Sequence, residues 1–208
     1  KDNLAPRIMI PEVHVDLAAD AADRWHLPEA LADQAHELLD LYNADLGGTN
    51  FLAQHGDRVQ QFVDAHVPAG MYEEIVGLAG RINRPLLELL LANLHYDAIK
   101  FLGTNSRAGC TAFAIDTPTG PVHARNLDWW TELDILSRFT MLAHFTGAPA
   151  GRFSVVTWPG FLGAFSAIAP GRFTVTLNAV SSNEPASFSI PVPMLIRSVL
   201  ENVATFDE

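Results

Sequence analysis

The sequence predicts an α+β fold in which one sheet is covered by helices. Residues 29–102 carry apolar side chains at three- and four-residue spacing, which is typical of amphipathic helices. From residue 110 to about residue 180 the apolar period changes to two, as in half-buried antiparallel strands. A last helical segment follows Pro191 and Pro193. Helices, then a run of strands, then a helix is the pattern of layered α+β domains.

The N-terminal half is predicted to be helical after one short strand. Arg7–Asp16 alternates like a strand, and Pro11 restricts that strand to a sheet edge or to its first pairing. The expected helices run from Glu29 to about Tyr42, from about Thr49 to Val67, from Ala69 to Ile82, and from Pro85 to about Leu102. The last of them is apolar on nearly all sides and lacks a basic face, so we expect a buried helix rather than a membrane-surface helix.

The C-terminal half is predicted to begin with a β-hairpin. Cys110–Ile115 is an apolar run, residues 116–120 form a turn, and Pro121–Arg125 returns as a second strand. An antiparallel meander and a helix are expected to follow, with strands over Phe139–Phe145, Phe153–Trp158, Phe161–Ile168 and Phe173–Val180 and the helix from Met194 to about Phe206.

Composition restricts the class of protein. With 208 residues, 49% hydrophobic and 18% charged, the chain can bury a sizeable core. The net charge of −11 argues against nucleic-acid binding. No apolar run reaches the ~20 residues of a membrane span, which predicts a soluble chain. The single cysteine excludes cysteine-rich zinc and iron–sulfur sites, and the histidines lack metal-ligand spacing, so we expect no metal or other cofactor.

The single cysteine is the place where chemistry concentrates. Cys110 follows a small, flexible stretch, Gly103–Gly109, and opens a strand, so the Gly109–Cys110 peptide bond could be strained and attacked by the thiol. Cleavage there would give Cys110 a free α-amine with a pKa of about 7.7–8.0, a useful base at neutral pH. The thiolate is the nucleophile, so a functional cysteine needs positive charge nearby. A buried structural cysteine is the other interpretation.

The returning strand of the hairpin carries charged residues that could support this chemistry. Arg125 could favour the thiolate and hold a developing negative charge, and Asp128 could hold the α-ammonium. Positions three apart on a flat strand face opposite sides, so this arrangement requires a turn or bulge at Asn126-Leu127. A structural ion pair remains an equal alternative for the two residues. His123 is expected in the core of the hairpin.

The order of these residues along the chain resembles the sequence motif of a known family. Cys110-Thr111 before an apolar strand, then His123 and Arg125-Asn126-Leu127-Asp128 before an aromatic residue, resemble the start of the catalytic subunit in the acid ceramidase and N-acylethanolamine acid amidase group. That group comprises N-terminal-nucleophile hydrolases of the choloylglycine hydrolase superfamily. The similar segments elsewhere are Ala5–Arg7, Val13–Asp16, Trp25, Leu89–Asp97, Thr157–Ser181 and Val192–Glu208.

The resemblance implies an αββα sandwich and self-cleavage between Gly109 and Cys110. Residues 1–109 would form a helical α-subunit or pro-segment. Residues 110–208 would form the first part of the catalytic β-subunit, which in the family continues through strands bearing another oxyanion asparagine, so we expect the subunit to be incomplete at Glu208.

The resemblance also implies site roles. Cys110 would be acylated by a linear amide with support from Arg125 and Asp128. The amidase subgroup has an acidic pair where this chain has Asn178-Ala179, and Asn178 is more similar to the oxyanion asparagine of bile-salt and penicillin acylases. Aromatic side chains near the site could line an acyl pocket or simply fill the core, and they are Trp129, Trp130, Trp158, Phe161 and Phe165.

The expected substrate is a lipophilic N-acyl amide of small-molecule size. The expected partners are the α and β fragments of one precursor, and a lipophilic substrate leaves contact with a membrane surface or lipid open. An acyltransferase of the isopenicillin N type and an uncleaved, non-catalytic binding relative remain alternatives. The sequence assigns no compartment, although its acidic pI near 5.0 is compatible with export.

Overall fold

The computed structural model describes residues 9–45, 48–101, 108–129, 134–179, 187 and 189–208. Its helices are α1 (Glu29–Asp45), α2 (Gly48–His66), α3 (Ala69–Arg81), α4 (Leu86–Phe101), α5 (Ile135–Arg138) and α6 (Val192–Asn202), with a 3-10 turn at Ala21–Asp23. Its strands are β1 (Glu12–Asp16), β2 (Ala108–Thr117), β3 (Gly120–Trp129), β4 (Met141–Thr146), β5 (Phe153–Thr157), β6 (Ser166–Ala169) and β7 (Phe173–Thr176). The α+β class is confirmed.

The strands form a five-stranded sheet in the order β1-β4-β5-β6-β7 and a separate antiparallel pair, β2-β3. The expected antiparallel meander is confirmed for β4 to β7. Strand β1 lies at the sheet edge, as Pro11 predicted, and it pairs in parallel with β4, with Val13 opposite Ala143. The sequence did not predict this pairing, because it joins segments about 130 residues apart and has no local signal.

Helices and the hairpin cover opposite faces of the five-stranded sheet. Alternate residues of each strand, such as Val15, Phe145 and Phe153, are buried in one core with residues of α1, α3, α4 and α6. Residues of the other alternation, such as Ser166 and Thr174, line a cleft together with residues of β3. The structure therefore has a helical layer, a five-stranded sheet and a two-stranded hairpin layer.

Helix α4 lies among other helices, as its nearly uniform apolar surface predicted. Its central residues Leu89 and Leu90 are buried, and the helix packs against α1, α2 and α3. Buried Asn93 donates to the Gly160 carbonyl at 2.9 Å and accepts from the Leu162 N–H at 2.8 Å. The Asn93 side chain thereby satisfies two backbone groups of the buried loop between β5 and β6 and links α4 to that part of the sheet.

Three sequence predictions were wrong in detail. Phe161–Phe165 is irregular rather than strand, and Gly160 before it has φ +90°, a conformation that turns the chain into the core. Phe139 follows helix α5 instead of starting a strand. The last helix ends at Asn202 rather than near Phe206, and Val203 is extended.

A buried ionic cluster joins the helical half to the C-terminal helix. Arg197 of α6 binds Glu74 of α3 through two hydrogen bonds of 2.6 Å, and neither side chain is exposed. Trp25 and Arg24 also donate to the same carboxylate, at 2.7 and 2.9 Å. Burial alone would raise the pKa of Glu74, but the charge and hydrogen bonds of Arg197, with those of Arg24 and Trp25, hold it below its ordinary value of 4.5.

None of the helices in the described part of the chain is both long and apolar enough to cross a membrane.

The cluster predicts a large stability effect. Glu74→Gln removes the fully buried one of the two carboxylates that pair with Arg197 and leaves only Glu201, so the free energy of unfolding at pH 7 should fall by about 3 kcal/mol. Because the folded-state pKa of Glu74 is lowered, this stabilisation is present above pH 4.5 and is lost as the pH falls through the folded-state pKa.

Denaturant unfolding at pH 7 and at a series of pH values below 4.5 measures both effects. The control is Glu73→Gln on the same helix, since Glu73 is exposed and its change should cost less than about 0.5 kcal/mol. Equal losses for the two variants would contradict the interpretation.

Candidate active site

The register of the hairpin places Cys110 and Arg125 on the same face. Cys110 is opposite Leu127, and Ala112 is opposite Arg125, so the two side chains are diagonal neighbours directed toward the five-stranded sheet. Both residues are half-buried. The sequence prediction that the returning strand brings Arg125 to Cys110 agrees with this geometry.

A small hydrogen-bond network surrounds the thiol. The Arg125 Nη2 lies 3.4 Å from the Cys110 Sγ and donates to it. The thiol in turn lies 3.6 Å from the Leu177 carbonyl oxygen, which also accepts from Arg125 Nη2 at 2.9 Å. The thiol is thus in contact with both a guanidinium donor and a carbonyl acceptor.

The remaining nitrogens of Arg125 have different environments. Nη1 donates to the Ser166 hydroxyl of β6 at 3.1 Å. Nε is buried and has no hydrogen-bond partner among the described residues. A buried N–H without a partner is costly, so Nε is the least satisfied of the Arg125 nitrogens.

Asp128 lies on the other face of the hairpin. Strand β3 pairs without interruption as far as Trp129, so the expected turn or bulge at Asn126-Leu127 is wrong. Asp128 is exposed, accepts from the Asn126 side-chain amide, and stands opposite Gly109. The carboxylate thus lies beside the residue that precedes Cys110, close to the backbone on which an α-amine would be created.

The two described residues before the cysteine, Ala108 and Gly109, belong to a strand, and the rest of the stretch Gly103–Gly109 that the sequence predicts to be flexible lies outside the described residues. Strand β2 begins at Ala108, so Gly109 and Cys110 lie within the ladder rather than at the junction of a loop and a strand. Neither residue has a positive φ. The expected strain of the Gly109–Cys110 bond is therefore absent from the backbone dihedrals, because both residues pair with β3.

Asn178 is not brought to the thiol. Its side chain is exposed and lies 3.5 Å from the Thr176 hydroxyl, although the neighbouring residues Leu177 and Ala179 line the small space beside Cys110. Its oxyanion role stays a prediction.

A cleft of about 540 Å³ lies between the hairpin and the five-stranded sheet. Trp129, Trp158 and Phe165 line it together with aliphatic residues and several hydroxyl groups. Trp158 is itself mostly buried and donates its indole N–H to the Leu136 carbonyl at 2.8 Å, and Phe161 stacks behind it on Phe165. Trp158 thus both fills the core and contributes to the wall, as the two interpretations allowed.

Trp130, the remaining predicted pocket residue, lies outside the described residues. His123 is not a core residue of the hairpin: it lines the cleft and its ring nitrogens approach the hydroxyls of Thr174 at 2.7 Å and Thr176 at 3.4 Å. The prediction was wrong because His123 shares the inner hairpin face with Arg125, and that face is turned toward β7.

Tyr96 is a site residue that sequence reasoning missed. This residue of α4 lines the same small space as Cys110 and Arg125, and its ring packs on Trp129 and Phe165 at 5.7 and 5.5 Å between centroids. Burial raises the pKa of the Tyr96 phenol, and the charges of Asp97 and Cys110 raise it further. The phenol is therefore neutral near pH 7. The sequence feature that could have identified Tyr96 is its position four residues after Ala92, which places both residues on the same face of α4.

No group of three or more metal-ligating side chains occurs within the described ranges.

Comparison with known proteins identifies the family. No family model matches the chain. The N-acylethanolamine-hydrolyzing acid amidase of Caenorhabditis elegans is 30% identical over 158 residues, which are 70% of this chain and 44% of that protein. The acid ceramidases of Balaenoptera acutorostrata scammoni and Homo sapiens are 25% and 24% identical over 230 residues, in both cases 96% of this chain and 55% of the relative.

The chain belongs to the acid ceramidase and N-acylethanolamine acid amidase family. The resemblance read from the motif is thus confirmed. The chain spans about half the length of the curated relatives it matches.

Two titratable groups of this family member lie in α4 next to Tyr96. Burial raises the pKa of Asp97 to about 6, although its carboxylate accepts from the Val192 N–H at the start of α6. Its second oxygen is buried with no hydrogen-bond partner in the described part of the chain. Burial lowers the pKa of His95 to about 4. Both groups are therefore held toward their neutral forms.

Asp97 predicts a pH-dependent gain of stability when its charge is removed. Because the pKa of Asp97 is higher in the folded state than in the unfolded state, the folded chain binds this proton more tightly. The ionised carboxylate therefore lowers the free energy of unfolding. This loss grows as the pH rises from about 4 to about 6 and is complete above pH 6. Asp97→Asn keeps the acceptor for Val192 and removes the charge. It should add about 1–2 kcal/mol at pH 7, after allowance for partial solvent screening, and almost nothing at pH 4.

Thermal or denaturant unfolding at both pH values measures the difference in stability between the variant and the parent. His95 is present in both proteins, so its own pH-dependent contribution cancels in this difference. Asp57→Asn, a change of an exposed aspartate in α2, is the matched control and should alter stability by less than about 0.5 kcal/mol. A loss of stability at pH 7 in the Asp97 variant would be the contrary result.

Proposed function

We propose that this family member is a self-processing cysteine amidase that hydrolyses the linear amide bond of a lipophilic N-acyl amide through an acyl intermediate on Cys110. The observation that carries the proposal is the contact of 3.4 Å between Arg125 Nη2 and Cys110 Sγ beside an aromatic-lined cleft. The relatives, one amidase that hydrolyses N-acylethanolamines and several ceramidases, support the same chemistry.

The layered structure supports an αββα sandwich of the N-terminal-nucleophile type. The α1–α4 layer, the five-stranded sheet and the β2-β3 hairpin supply three successive layers of such a sandwich. The proposed processing site divides the chain into a helical fragment, residues 1–109, and a fragment that begins with the nucleophile, residues 110–208. The Glu74–Arg197 bridge joins these two fragments and would hold them together after cleavage.

Self-processing would use the thiol of Cys110 on the peptide bond that precedes it. The Cys110 sulfur attacks the Gly109 carbonyl carbon, the C–N bond breaks as the nitrogen takes up a proton, and Gly109 is left as a thioester on the sulfur. Water then hydrolyses the thioester, which releases a Gly109 carboxylate and restores the thiol. The new α-amine of Cys110 would lie on β2 next to Gly109, the residue opposite Asp128, and Asp128 would hold its ammonium form.

Amide hydrolysis would use the same sulfur and the new amine. The α-amine takes the thiol proton as the sulfur attacks the substrate carbonyl, and it returns that proton to the leaving amine when the tetrahedral intermediate collapses. Water, deprotonated by the same amine, then releases the acyl group as a carboxylic acid. Arg125, whose Nη2 contacts the sulfur, would stabilise the negative charge that develops at the reacting atoms.

Water is the proposed acceptor because the amidase relative is named for hydrolysis of its substrate, which does not favour the acyltransferase alternative. The acyl chain would occupy the cleft, where Trp129 and Phe165 adjoin the space beside Cys110. Asn178 would reach the oxyanion only after a change of its side-chain rotamer, since it is directed toward Thr176.

Processing is tested by the nucleophile itself. Cys110→Ala cannot form the thioester, so the full chain should stay uncut, whereas the parent should give a fragment whose N-terminal sequence reads Cys-Thr-Ala-Phe. Denaturing mass spectrometry and N-terminal sequencing detect the cut. Scission of the alanine variant at the same bond would sink self-processing, and an uncut, folded parent would do the same.

Substrate class is tested by acyl-chain length on the processed enzyme. Each buried methylene contributes about 0.8 kcal/mol, so four extra carbons should raise kcat/KM by up to roughly 200-fold if the chain enters the cleft. A series of N-acyl amides from acetyl to palmitoyl with one fluorogenic amine measures this.

Trp129→Ala should flatten that dependence on chain length. Phe113→Ala is the control, because Phe113 is an aromatic residue on the outer face of the same hairpin and is 54% exposed. A flat or falling kcat/KM along the series for the parent would favour a small-acyl acylase instead.

A further inference from the structure

Arg125 reaches the thiol only because two other groups hold its guanidinium. An arginine side chain has four rotatable bonds and loses about 2 kcal/mol of rotamer freedom when it is fixed, so a single 3.4 Å contact to sulfur would not hold it. The two anchors are the Ser166 hydroxyl at 3.1 Å and the Leu177 carbonyl at 2.9 Å. The carbonyl belongs to the backbone, which leaves Ser166 as the anchor that depends on residue type.

Ser166 is itself rigidly placed. It is the first residue of β6 and pairs with Val156 of β5 on one side and Thr176 of β7 on the other. Its hydroxyl lies on the sheet face that looks toward the hairpin, so the hydrogen bond to Arg125 crosses between the two sheets. The position of the guanidinium is thereby set by the five-stranded sheet as well as by its own strand.

The neutral character of this anchor has a chemical consequence. Arg24, Arg84 and Arg197 pair with carboxylates, which compensate their charge. The partners that the described residues give to Arg125 are a hydroxyl, a carbonyl and a thiol sulfur. A carboxylate at position 166 would fix the side chain equally well but would neutralise it, whereas a hydroxyl fixes it and leaves the positive charge for the sulfur.

We propose that Ser166 is a positioning residue that holds the Arg125 guanidinium on the Cys110 sulfur without compensating its charge. The proposal deepens the proposed function, since a positively charged, fixed Arg125 matters only if Cys110 reacts as a thiolate. Ser166 acts through Arg125 and need not touch the substrate.

The test is the pH profile of Cys110 alkylation by iodoacetamide in the full chain, followed by mass spectrometry of the peptide that carries Cys110. Ser166→Ala should lower the alkylation rate near neutral pH by about tenfold and move the profile up by about one pH unit. Ser166→Thr keeps the hydroxyl and should show the pH profile of the parent. Ser166→Val has the shape of threonine but lacks the hydroxyl, and it should show the shifted profile of Ser166→Ala. That matched pair still decides the question if the alanine variant fails to fold.

Two controls separate positioning from a general effect on the sheet. Ser154→Ala removes a hydroxyl from the adjacent strand that bonds His144 instead, and it should leave the profile unchanged. In an Arg125→Ala background, Ser166→Ala should have no further effect, because its only route to the sulfur is gone. An equal effect in both backgrounds, or a folded Ser166→Val variant with the parent profile, would overturn the proposal.

The same variants distinguish this proposal from the proposed function. In active enzyme, Ser166→Ala should lower kcat while KM changes less than about twofold, since the group acts on the nucleophile and not on binding. If the chain neither cuts itself nor hydrolyses amides but the alkylation results hold, the amidase proposal fails and the positioning role stands. If amides are hydrolysed but the Ser166 variants have the same pH profile of alkylation as the parent, only the positioning role fails.

Discussion

The structure depends on one buried carboxylate. Glu74 of α3 receives two hydrogen bonds from Arg197 and one each from Trp25 and Arg24, so four N–H donors from three side chains converge on two oxygens. Desolvating an ion pair is costly, and the pair is favourable only when all its hydrogen-bonding capacity is used. This carboxylate meets that condition, and in doing so it fixes the distance between the helical layer and the C-terminal helix.

Helix α6 is in turn linked to α4, the last described helix before Cys110. Val192 at the start of α6 donates to Asp97 near the end of α4, and Tyr96 next to it lines the space beside Cys110. The ionic cluster, α6 and the C-terminal part of α4 thus form a continuous path from the far side of the sheet to the thiol. A cut between Gly109 and Cys110 would leave this path intact, because it runs through side-chain contacts and not through the cleaved bond.

Sequence periodicity predicted the parts of the fold that local physics decides. Helices α1 to α4 and the β2-β3 hairpin follow from apolar spacing and from turn residues such as Gly120, whose φ is +116°. It could not predict the parallel pairing of β1 with β4, or that Phe161–Phe165 leaves the strand to fill the core, since both depend on distant partners. At the site, spacing identified Cys110 and Arg125 but not Tyr96, which reaches them from another layer.

Arg197 and Arg125 have different kinds of partners, and the local sequence does not predict this difference. An arginine that stabilises a fold is best compensated, and Arg197 has two carboxylates, Glu74 and Glu201, within hydrogen-bond distance. An arginine that polarises a thiol must be held by groups that leave its charge intact, and Arg125 is held by Ser166 and a carbonyl. Nothing in the sequence around a serine marks it for that task. Only the stacking of the hairpin on the sheet makes its hydroxyl part of the site, so this role is a property of the fold.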